Sequence, residues 1–412
     1  MPESNLLNRR FIFLLIAQAG FGFAHSSFMM LPKFLATELA AGPVEIGRVV
    51  SVSAISIVFF LIPAGAMIDR HGRKRFLIAG AALMALTSAL HILVHEVGYF
   101  LYALRIVQAL AFAYAYAAGA ALCVDAAPPA RLGQAIGLFG LAYVAMGAFA
   151  PAVVETVVET DGWNTAFWIA AASASLCGIL SIAVHESRPD RTMEPHVSLS
   201  AIAVRPAMLR ALVVIGLLGV AFGCAFNFYQ PYALSLGITE LRDFFIANSI
   251  AAAACRLVIG PFIDRIGLRR ISLASLSLYA VVIWCMVYLD EIGLTILGLS
   301  MGVAHGLFYP AYTAMVLADS PAVERGRRLS IIQASLNLGV GAGGVGLGWM
   351  AAQWGYPLIF QVSAMAIVLA ATLIVLETPS EATSDAADLN EAYDGQAPAS
   401  TRWRRFVPRR LS

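Results

Sequence analysis

The amino-acid sequence predicts an all-α membrane protein in which twelve transmembrane helices form two pseudo-symmetric six-helix bundles. Of its 412 residues, 60% are hydrophobic and only 13% are charged, whereas about 25% of the residues in a soluble domain carry a charge. Apolar stretches of about 20 residues recur twelve times, and the two halves of the chain share sequence landmarks in the same order. Together these observations exclude a water-soluble globular protein and a disordered chain.

Each apolar stretch is long enough to cross a bilayer core of about 30 Å as a helix. Helices are required because each separate segment must satisfy its backbone hydrogen bonds internally. The first stretch lacks a small-residue cleavage site, so we expect it to be a retained span rather than a signal peptide. The predicted spans are 11–32, 46–68, 76–95, 99–122, 134–154, 165–184, 211–233, 244–263, 271–289, 293–316, 330–351 and 357–376.

Basic residues predict the orientation of the spans. If the N-terminus is cytoplasmic, 22 of the 27 lysine and arginine residues fall on the cytoplasmic side, as the positive-inside rule requires. We therefore expect a multi-pass protein of the cell inner (plasma) membrane with both termini in the cytoplasm. The formal net charge of +2 gives no general attraction to nucleic acid. The five cysteines occur singly, so neither a disulfide framework nor a metal site is expected.

The domain organisation follows from the longest connection between spans. This connection is predicted to be cytoplasmic, has the composition of a solvated linker, and separates the spans into two groups of six. The predicted domains are an N-terminal six-helix bundle (1–184), a cytoplasmic linker (185–210), a C-terminal six-helix bundle (211–376) and a cytoplasmic polar tail with a basic end (377–412).

The two halves resemble each other in sequence. GAMIDRHGRKR at 65–75 matches GPFIDRIGLRR at 260–270, an offset of 195 residues, and VDAAPPAR at 124–131 matches ADSPAVER at 318–325, an offset of 194. Landmarks in the same order at nearly one offset indicate a duplicated six-helix unit. This organisation is expected of many secondary transporters.

The strongest motif lies between spans 2 and 3 and reads Gly65-x-x-x-Asp69-Arg70-x-Gly72-Arg73-Lys74. It resembles the signature loop of the major facilitator superfamily, in its bacterial drug and sugar efflux-like branch, and a weaker copy follows span 8. In that family the loop is a latch that holds the outward-open state and is released as the halves rock. The alternative is that its arginines only fix the topology. The residues that the resemblance assigns to the latch are Gly65, Asp69, Arg70, Gly72, Arg73, Asp264, Arg265 and Gly267. Asp125 and Asp319 occupy matching ends of spans 4 and 10, and their equivalence across the repeat indicates a shared gate or latch role.

In the superfamily, spans 1, 4, 7 and 10 line the central cavity, and here one face of each offers polar or aromatic side chains. These side chains repeat with the period of a helix, which indicates an aromatic, hydrogen-bonding pocket. The alternative is that individual aromatic residues only pack between helices. The candidates for substrate binding or coupling are Gln18, His25, Arg105, Gln108, Tyr116, Asn227, Gln230, His305, Tyr309 and Tyr312.

Arg105 lies some six residues inside span 4. An arginine within a span is costly, so it normally faces a polar interior, although it can also snorkel to the interface. Arg105 and Gln108 resemble an Arg and Gln pair of drug-efflux branches that is linked to proton or substrate handling. No Asp or Glu lies deep in a predicted span, which leaves His25 and His305 as the groups that titrate near neutral pH. The cavity therefore favours neutral or anionic substrates.

Span 11 contains GxxxG spacings at Gly339/Gly343 and Gly344/Gly348, which predict close helix packing. Span 5 keeps Gly147 and Pro151 of the family's antiporter signature but not its Gly-Pro dipeptide. This departure leaves open whether exchange is obligatory.

The expected function is secondary active transport of a small organic molecule by alternating access, most simply as proton-coupled efflux without a cofactor. The alternatives are a proton-coupled importer or uniporter of a sugar or organic anion, and a non-transporting membrane sensor. An enzyme is not expected, because the sequence has no cluster of catalytic residues. The expected partners are the substrate, protons and the lipid bilayer, and the protein is expected to be a monomer. The basic end of the tail is predicted either to bind anionic lipid or to be merely solvated.

Overall fold

The computed structural model describes residues 9–127, 131–184, 199–258, 266–318, 320 and 322–376. Within these ranges the regular structure is entirely helical. Ten of the described helices are long and apolar enough to cross a membrane. Large apolar side chains such as Phe59 and Ile179 are exposed on the outside of the bundle, where a lipid bilayer would cover them.

The first half of the chain contains six crossings. The opening helix continues through a 3₁₀ turn at Phe28–Met30 into Leu31–Thr37. The helical segment Leu132–Ile182 has 51 residues. As one straight helix it would be about 75 Å long at 1.5 Å per residue, which is too long for one crossing. It is interrupted at Gly162, whose φ of 81° is readily adopted only by glycine. The helices are α1 (Arg9–Ser27), α2 (Pro43–His71), α3 (Arg73–Leu90), α4 (Tyr99–Ala126), and α5 (132–161) and α6 (163–182) within Leu132–Ile182.

The second half repeats this arrangement. A short helix, Leu199–Ala203, precedes it, and its first long helix passes through a π turn at Cys224–Phe228 into Tyr229–Ser235. The helices are α7 (Pro206–Gly223), α8 (Arg242–Val258), α9 (Leu268–Cys285), α10 (Glu291–Ala318), α11 (Ala322–Trp354) and α12 (Tyr356–Leu376). Separating α5 from α6 and adding the 17-residue α8 to the ten long helices gives the twelve predicted crossings.

Successive helices run in opposite directions. We call the end of the bundle where α1 begins and α12 ends the proximal end, and the opposite end the distal end. α2, α4, α8 and α10 therefore begin at the distal end, and α7 and α11 finish there.

The loops that follow α2 and α8 place a glycine in nearly the same backbone conformation. Gly72 has φ 102° and ψ 133°, and Gly267 has φ 99° and ψ 126°. Two residues further on, a basic side chain reaches the C-terminal carbonyls of the last helix of its half: Lys74 donates to Ile182 O at 2.5 Å, and Arg269 donates to Ile374 O at 3.1 Å. The sequence repeat is therefore also a structural repeat.

The two halves meet at the distal end, where glycines of α11 pack against α2. Ser51 Oγ donates to Gly341 O at 2.6 Å. A Cβ atom added to Gly47 would lie 2.1 Å from Gly344 O, and one added to Gly348 would lie 2.6 Å from Pro43 O. The backbones of the two halves are thus in direct contact.

A second glycine face of α11 packs against α7 within the C-terminal half. A Cβ atom added to Gly339 would lie 2.1 Å from Gly216 O, and one added to Gly343 would lie 3.1 Å from Val220 Cα. The predicted role of these glycines in close helix packing is confirmed for both faces.

Candidate functional site

A cavity of about 170 Å³ lies between the two halves. Its wall combines a cation and an imidazole from the N-terminal half with aromatic rings and amides from the C-terminal half. The lining residues are His25, Phe28, Met29, Leu31, Pro32 and Leu35 on α1 and its continuation, Val50, Ser53, Ala54 and Ile57 on α2, Arg105 on α4, Phe222, Phe226 and Asn227 on α7 and its π turn, and Asn337 and Val340 on α11.

Arg105 points into the cavity region. Its Nη1 donates to Gln108 Oε1 at 2.6 Å, and its guanidinium carbon lies 5.9 Å from the centre of the Phe28 ring. The buried Nε of Arg105 and the buried Nε2 of Gln108 have no hydrogen-bond partner in the described part of the chain. Because an amide oxygen is neutral, the contact with Gln108 orients the guanidinium without cancelling its charge.

His25 belongs to an aromatic cluster in the N-terminal half. Its ring lies 4.6 Å from that of Phe112 and 6.2 Å from that of Tyr143. Tyr116 belongs to the same cluster. Its ring stacks on Phe112 with centres 5.2 Å apart and meets the Tyr143 ring edge-on with centres 5.3 Å apart. His25 thus borders both the cavity and the packed interior, whereas Tyr116 is not among the lining residues of this cavity.

The C-terminal half carries a similar cluster. Phe222 and Phe226 stack with ring centres 4.3 Å apart, and His305 lies 4.9 Å from Phe222 and 6.0 Å from Tyr309. Tyr309 OH donates to Gln333 Oε1 at 2.9 Å. These contacts place His305 and Tyr309 behind the cavity wall and leave the two phenylalanines on its surface.

Three further candidates lie outside the cavity wall. Tyr312 is 2% exposed and stacks on Phe308 at 5.3 Å, so its ring packs between helices in this conformation. Gln18 is buried near Gly119, and its amide has no partner among the described residues. Gln230 donates from Nε2 to Met29 O at 2.7 Å and accepts from Lys33 N at 3.2 Å, so it bridges the two halves.

Gln230 belongs to a polar seal at the distal end. Lys33 forms an ion pair with Glu155, and its Nζ also donates to Thr239 O at 2.7 Å. Glu155 accepts at 2.9 Å from the backbone N–H of Leu241 and also from that of Arg242. One carboxylate on α5 therefore holds both a lysine of its own half and the start of α8 in the other half.

Glu155 is a buried acidic residue that the sequence did not single out. The helix continues to 161, beyond the predicted end of span 5 at 154, and Glu155 is 0% exposed. The sequence did contain a signal, because Lys33 and Glu155 directly follow the predicted ends of spans 1 and 5. That signal did not reveal that the two residues meet.

His91 is a second buried group that the sequence did not single out. Its Nδ1 lies 2.7 Å from Thr87 O. Because a carbonyl can only accept, Nδ1 carries the hydrogen. Nε2 is then the remaining ring nitrogen, and it is buried without a partner in the described ranges. The His91 ring lies 4.7 Å from Phe28, so Phe28 contacts both His91 and Arg105.

The predicted latch is described in part. Arg73 forms an ion pair with Asp125, which joins the start of α3 to the end of α4. A Cβ atom added to Gly65 would meet no described atom within 4 Å, so the described residues give no close packing at this glycine. Arg70 and Gly72 lie at the end of α2 and in the loop. The side chain of Asp69, and the residues Asp264, Arg265 and Asp319, lie outside the described part of the structure.

No group of three or more His, Cys, Asp or Glu side chains that could hold a metal ion occurs in the described ranges. The site presents a cation beside neutral amides and aromatic rings, between two halves that touch at one end.

Comparison with known proteins agrees with this architecture. The chain is 26% identical over 332 residues to the multidrug resistance protein MdtG of Dickeya zeae, covering 77% of this chain and 79% of that protein. It is 21% identical over 368 residues to the staphylopine export protein of Staphylococcus aureus, covering 83% and 89%. The crystal structure of the nucleoside transporter NupG superposes with a TM-score of 0.70 at 16% identity, covering 89% of this chain and 98% of that one.

The sequence model of the Major Facilitator Superfamily matches residues 12–247 and 231–411. The twelve-helix fold in two bundles is confirmed, and so is the family that the loop motif indicated. Members of this family are membrane transporters rather than enzymes. One of the relatives is named as an export protein. The chain belongs to the Major Facilitator Superfamily.

Proposed function

We propose that this chain is a secondary active transporter that exports a small organic molecule across the inner membrane by alternating access, most simply in exchange for protons. The observation that carries the proposal is Arg105, a cation inside a cavity that both halves line. An uncompensated cation at this depth is costly, and an anionic or strongly polar substrate would offset that cost. Export is supported by the similarity to the staphylopine export protein.

The distal seal supports alternating access. The contacts between the halves at this end are an ion pair, hydrogen bonds and glycine packing. Buried apolar side chains of both halves also pack together here. All of these contacts are non-covalent, so the halves can separate at this end without breaking a bond. We infer that the distal end faces the periplasm, with both termini cytoplasmic, and that this conformation is closed toward the outside.

The further parts of the proposal rest on sequence. Four parts remain predictions: the boundaries of the two bundles at 1–184 and 211–376, the cytoplasmic linker between them, a monomeric state, and contact of the basic tail with anionic lipid.

Import of a sugar or organic anion is the second candidate direction, and the incomplete antiporter signature around Gly147 and Pro151 is the observation that favours it. A non-transporting sensor is disfavoured by a cavity between separable halves.

The experiment measures uptake of radiolabelled cations, anions and neutral amphiphiles into vesicles that contain the wild type, Arg105→Ala or Arg105→Lys. We expect wild-type vesicles to prefer anions or neutral polar compounds. Arg105→Ala should lose anion transport, whereas Arg105→Lys should keep part of it because the charge remains but the planar donor fork does not.

Phe59→Leu is a suitable control, because Phe59 is exposed on the outside of α2 and should not affect transport. Preferential transport of a permanent cation such as tetraphenylphosphonium, unaffected by Arg105→Ala, would contradict the assignment of the cavity. Comparing accumulation in cells that lack or overproduce the protein decides between export and import.

A further inference from the structure

Two asparagines on the C-terminal wall of the cavity have the same hydrogen-bond arrangement. Asn227 Nδ2 donates to Gly223 O at 2.9 Å, and Asn337 Nδ2 donates to Gln333 O at 2.9 Å. A backbone carbonyl can only accept, so the amide nitrogen of each side chain must face its own helix. No described residue donates to either Oδ1 atom, and both asparagines line the cavity. This wall therefore offers two hydrogen-bond acceptors.

The wall formed by the N-terminal half has the opposite character. Arg105 contributes a full positive charge, and one of its buried donors, Nε, has no partner among the described residues. No described carboxylate forms an ion pair with Arg105. The cavity thus places a cation on one half and neutral acceptors on the other.

An aromatic surface lies between these two polar regions. Phe222 and Phe226 stack on each other and line the cavity together with Phe28. An apolar ring can pack against them without leaving a polar group unpaired. The candidate residues Tyr116, Tyr309 and Tyr312 are not among the residues that line this cavity.

We propose that the cavity binds an amphipathic organic acid that also carries N–H or O–H donors, such as a ring-bearing amino or hydroxy acid. The carboxylate would pair with Arg105, the ring would pack on Phe222 and Phe226, and the donors would bond to Asn227 and Asn337. This inference rests on the proposed transport function and specifies its substrate class. An acid without donors leaves the two amide oxygens unpaired, and such sites discriminate strongly against analogues that lack the matching group. A simple amine lacks the carboxylate that pairs with Arg105, so its positive charge and that of the guanidinium repel each other.

The test uses four probes that share a phenyl ring: phenyllactate, phenylalanine, 3-phenylpropionate and phenethylamine. Binding to the purified full-length protein is measured for the wild type and for Asn227→Leu and Asn337→Leu, which keep the branched shape of the side chain but remove the acceptor. We expect phenyllactate or phenylalanine to bind at least tenfold more tightly than 3-phenylpropionate, and phenethylamine to bind most weakly. The leucine variants should reduce this preference to threefold or less by losing affinity for the donor-bearing acid.

Asn164→Leu is the matched control, since Asn164 is exposed near the α5–α6 break and should leave the preference unchanged. Equal binding of phenyllactate, phenylalanine and 3-phenylpropionate, or a preference for phenethylamine, would overturn the proposal. So would a preference for the donor-bearing acids that survives in both leucine variants. If none of the four binds while the vesicle assay finds another class of substrate, the substrate class is wrong and the transport function stands. Absence of transport for every class of compound would instead refute the transport function.

Discussion

Lys33 at the distal end of the first crossing and Glu155 in α5 form a buried ion pair, although 122 residues separate them in the chain. The same carboxylate accepts hydrogen bonds from the backbone of Leu241 and Arg242 in the other half. The charge on Glu155 therefore stabilises both the N-terminal half and its contact with the C-terminal half. This double role makes Glu155 a direct link between the two halves at the distal seal.

The first prediction concerns this seal. Removing one partner of a buried ion pair costs about 3–5 kcal/mol, whereas an exposed pair contributes about 0–1 kcal/mol. Glu155→Gln should therefore favour distal opening. In a cysteine-free background with Ser53→Cys in the cavity, an impermeant maleimide added at the distal side should label the variant at least tenfold faster than the parent.

Glu159→Gln is the control for this measurement, because Glu159 pairs with Arg242 but is largely exposed. Its labelling rate should stay within about twofold of the parent, as expected for an exposed pair. An unchanged labelling rate in Glu155→Gln would show that the carboxylate does not hold the distal end closed.

The second prediction concerns the glycine contact between α2 and α11. A Cβ atom added to Gly344 would lie 2.3 Å from Ser51 Oγ and 2.8 Å from Gly47 O, whereas one added to Gly346 would meet nothing within 4 Å. Gly344→Ala should therefore force the halves apart, reduce transport at least tenfold and raise distal labelling at Ser53→Cys. Gly346→Ala should retain transport and gain up to about 1 kcal/mol of helix stability. Equal transport by the two variants would argue against this contact as a closing surface.

The third prediction concerns the latch loop. By its resemblance to the family motif, Asp69 holds one conformation, so Asp69→Asn should nearly abolish transport without impairing membrane insertion. Asp264→Asn should have a milder effect, because the second copy of the motif is incomplete. Vesicle transport and the amount of inserted protein are measured together. Normal transport by Asp69→Asn would remove the latch from the mechanism.

The fourth prediction concerns proton coupling. His25 borders the cavity and His305 stacks behind its wall on Phe222, so proton dependence should be carried by these groups or by Arg105. We expect the reconstituted His25→Gln/His305→Gln variant to lose most of its transport response to an imposed pH gradient. An unchanged response would exclude both histidines. His91→Gln, measured in parallel, then tests the buried imidazole beside Phe28.

Much of the architecture followed from local composition. The apolar spans, the orientation of Arg105 toward a polar interior and the α11 glycine faces were all predictable, because crossing a bilayer requires a long apolar helix and close contact requires small residues. Gly72 and Gly267 show how far the repeat could be followed: the same motif position produces nearly the same backbone turn in both halves.

The cavity wall was less predictable. Asn337 and Phe222 line it, whereas Tyr312 packs against Phe308 and Gln230 joins the continuations of α1 and α7. A transmembrane helix is apolar around most of its circumference, so periodicity does not reveal which face meets a neighbour and which meets a substrate.

The sequence by itself determined that the protein is a duplicated bundle of twelve membrane helices with a cation inside, because hydropathy, basic flanks and motif spacing are properties of short segments. Only the tertiary structure decided that Lys33 meets Glu155 and that Glu155 also holds the start of α8. It also decided that Asn227 and Asn337 line the same cavity as Arg105, with their amide nitrogens bonded to their own helices. These relationships join residues from different helices and both halves. They are fixed by how the helices pack and rotate against one another, which no local pattern encodes.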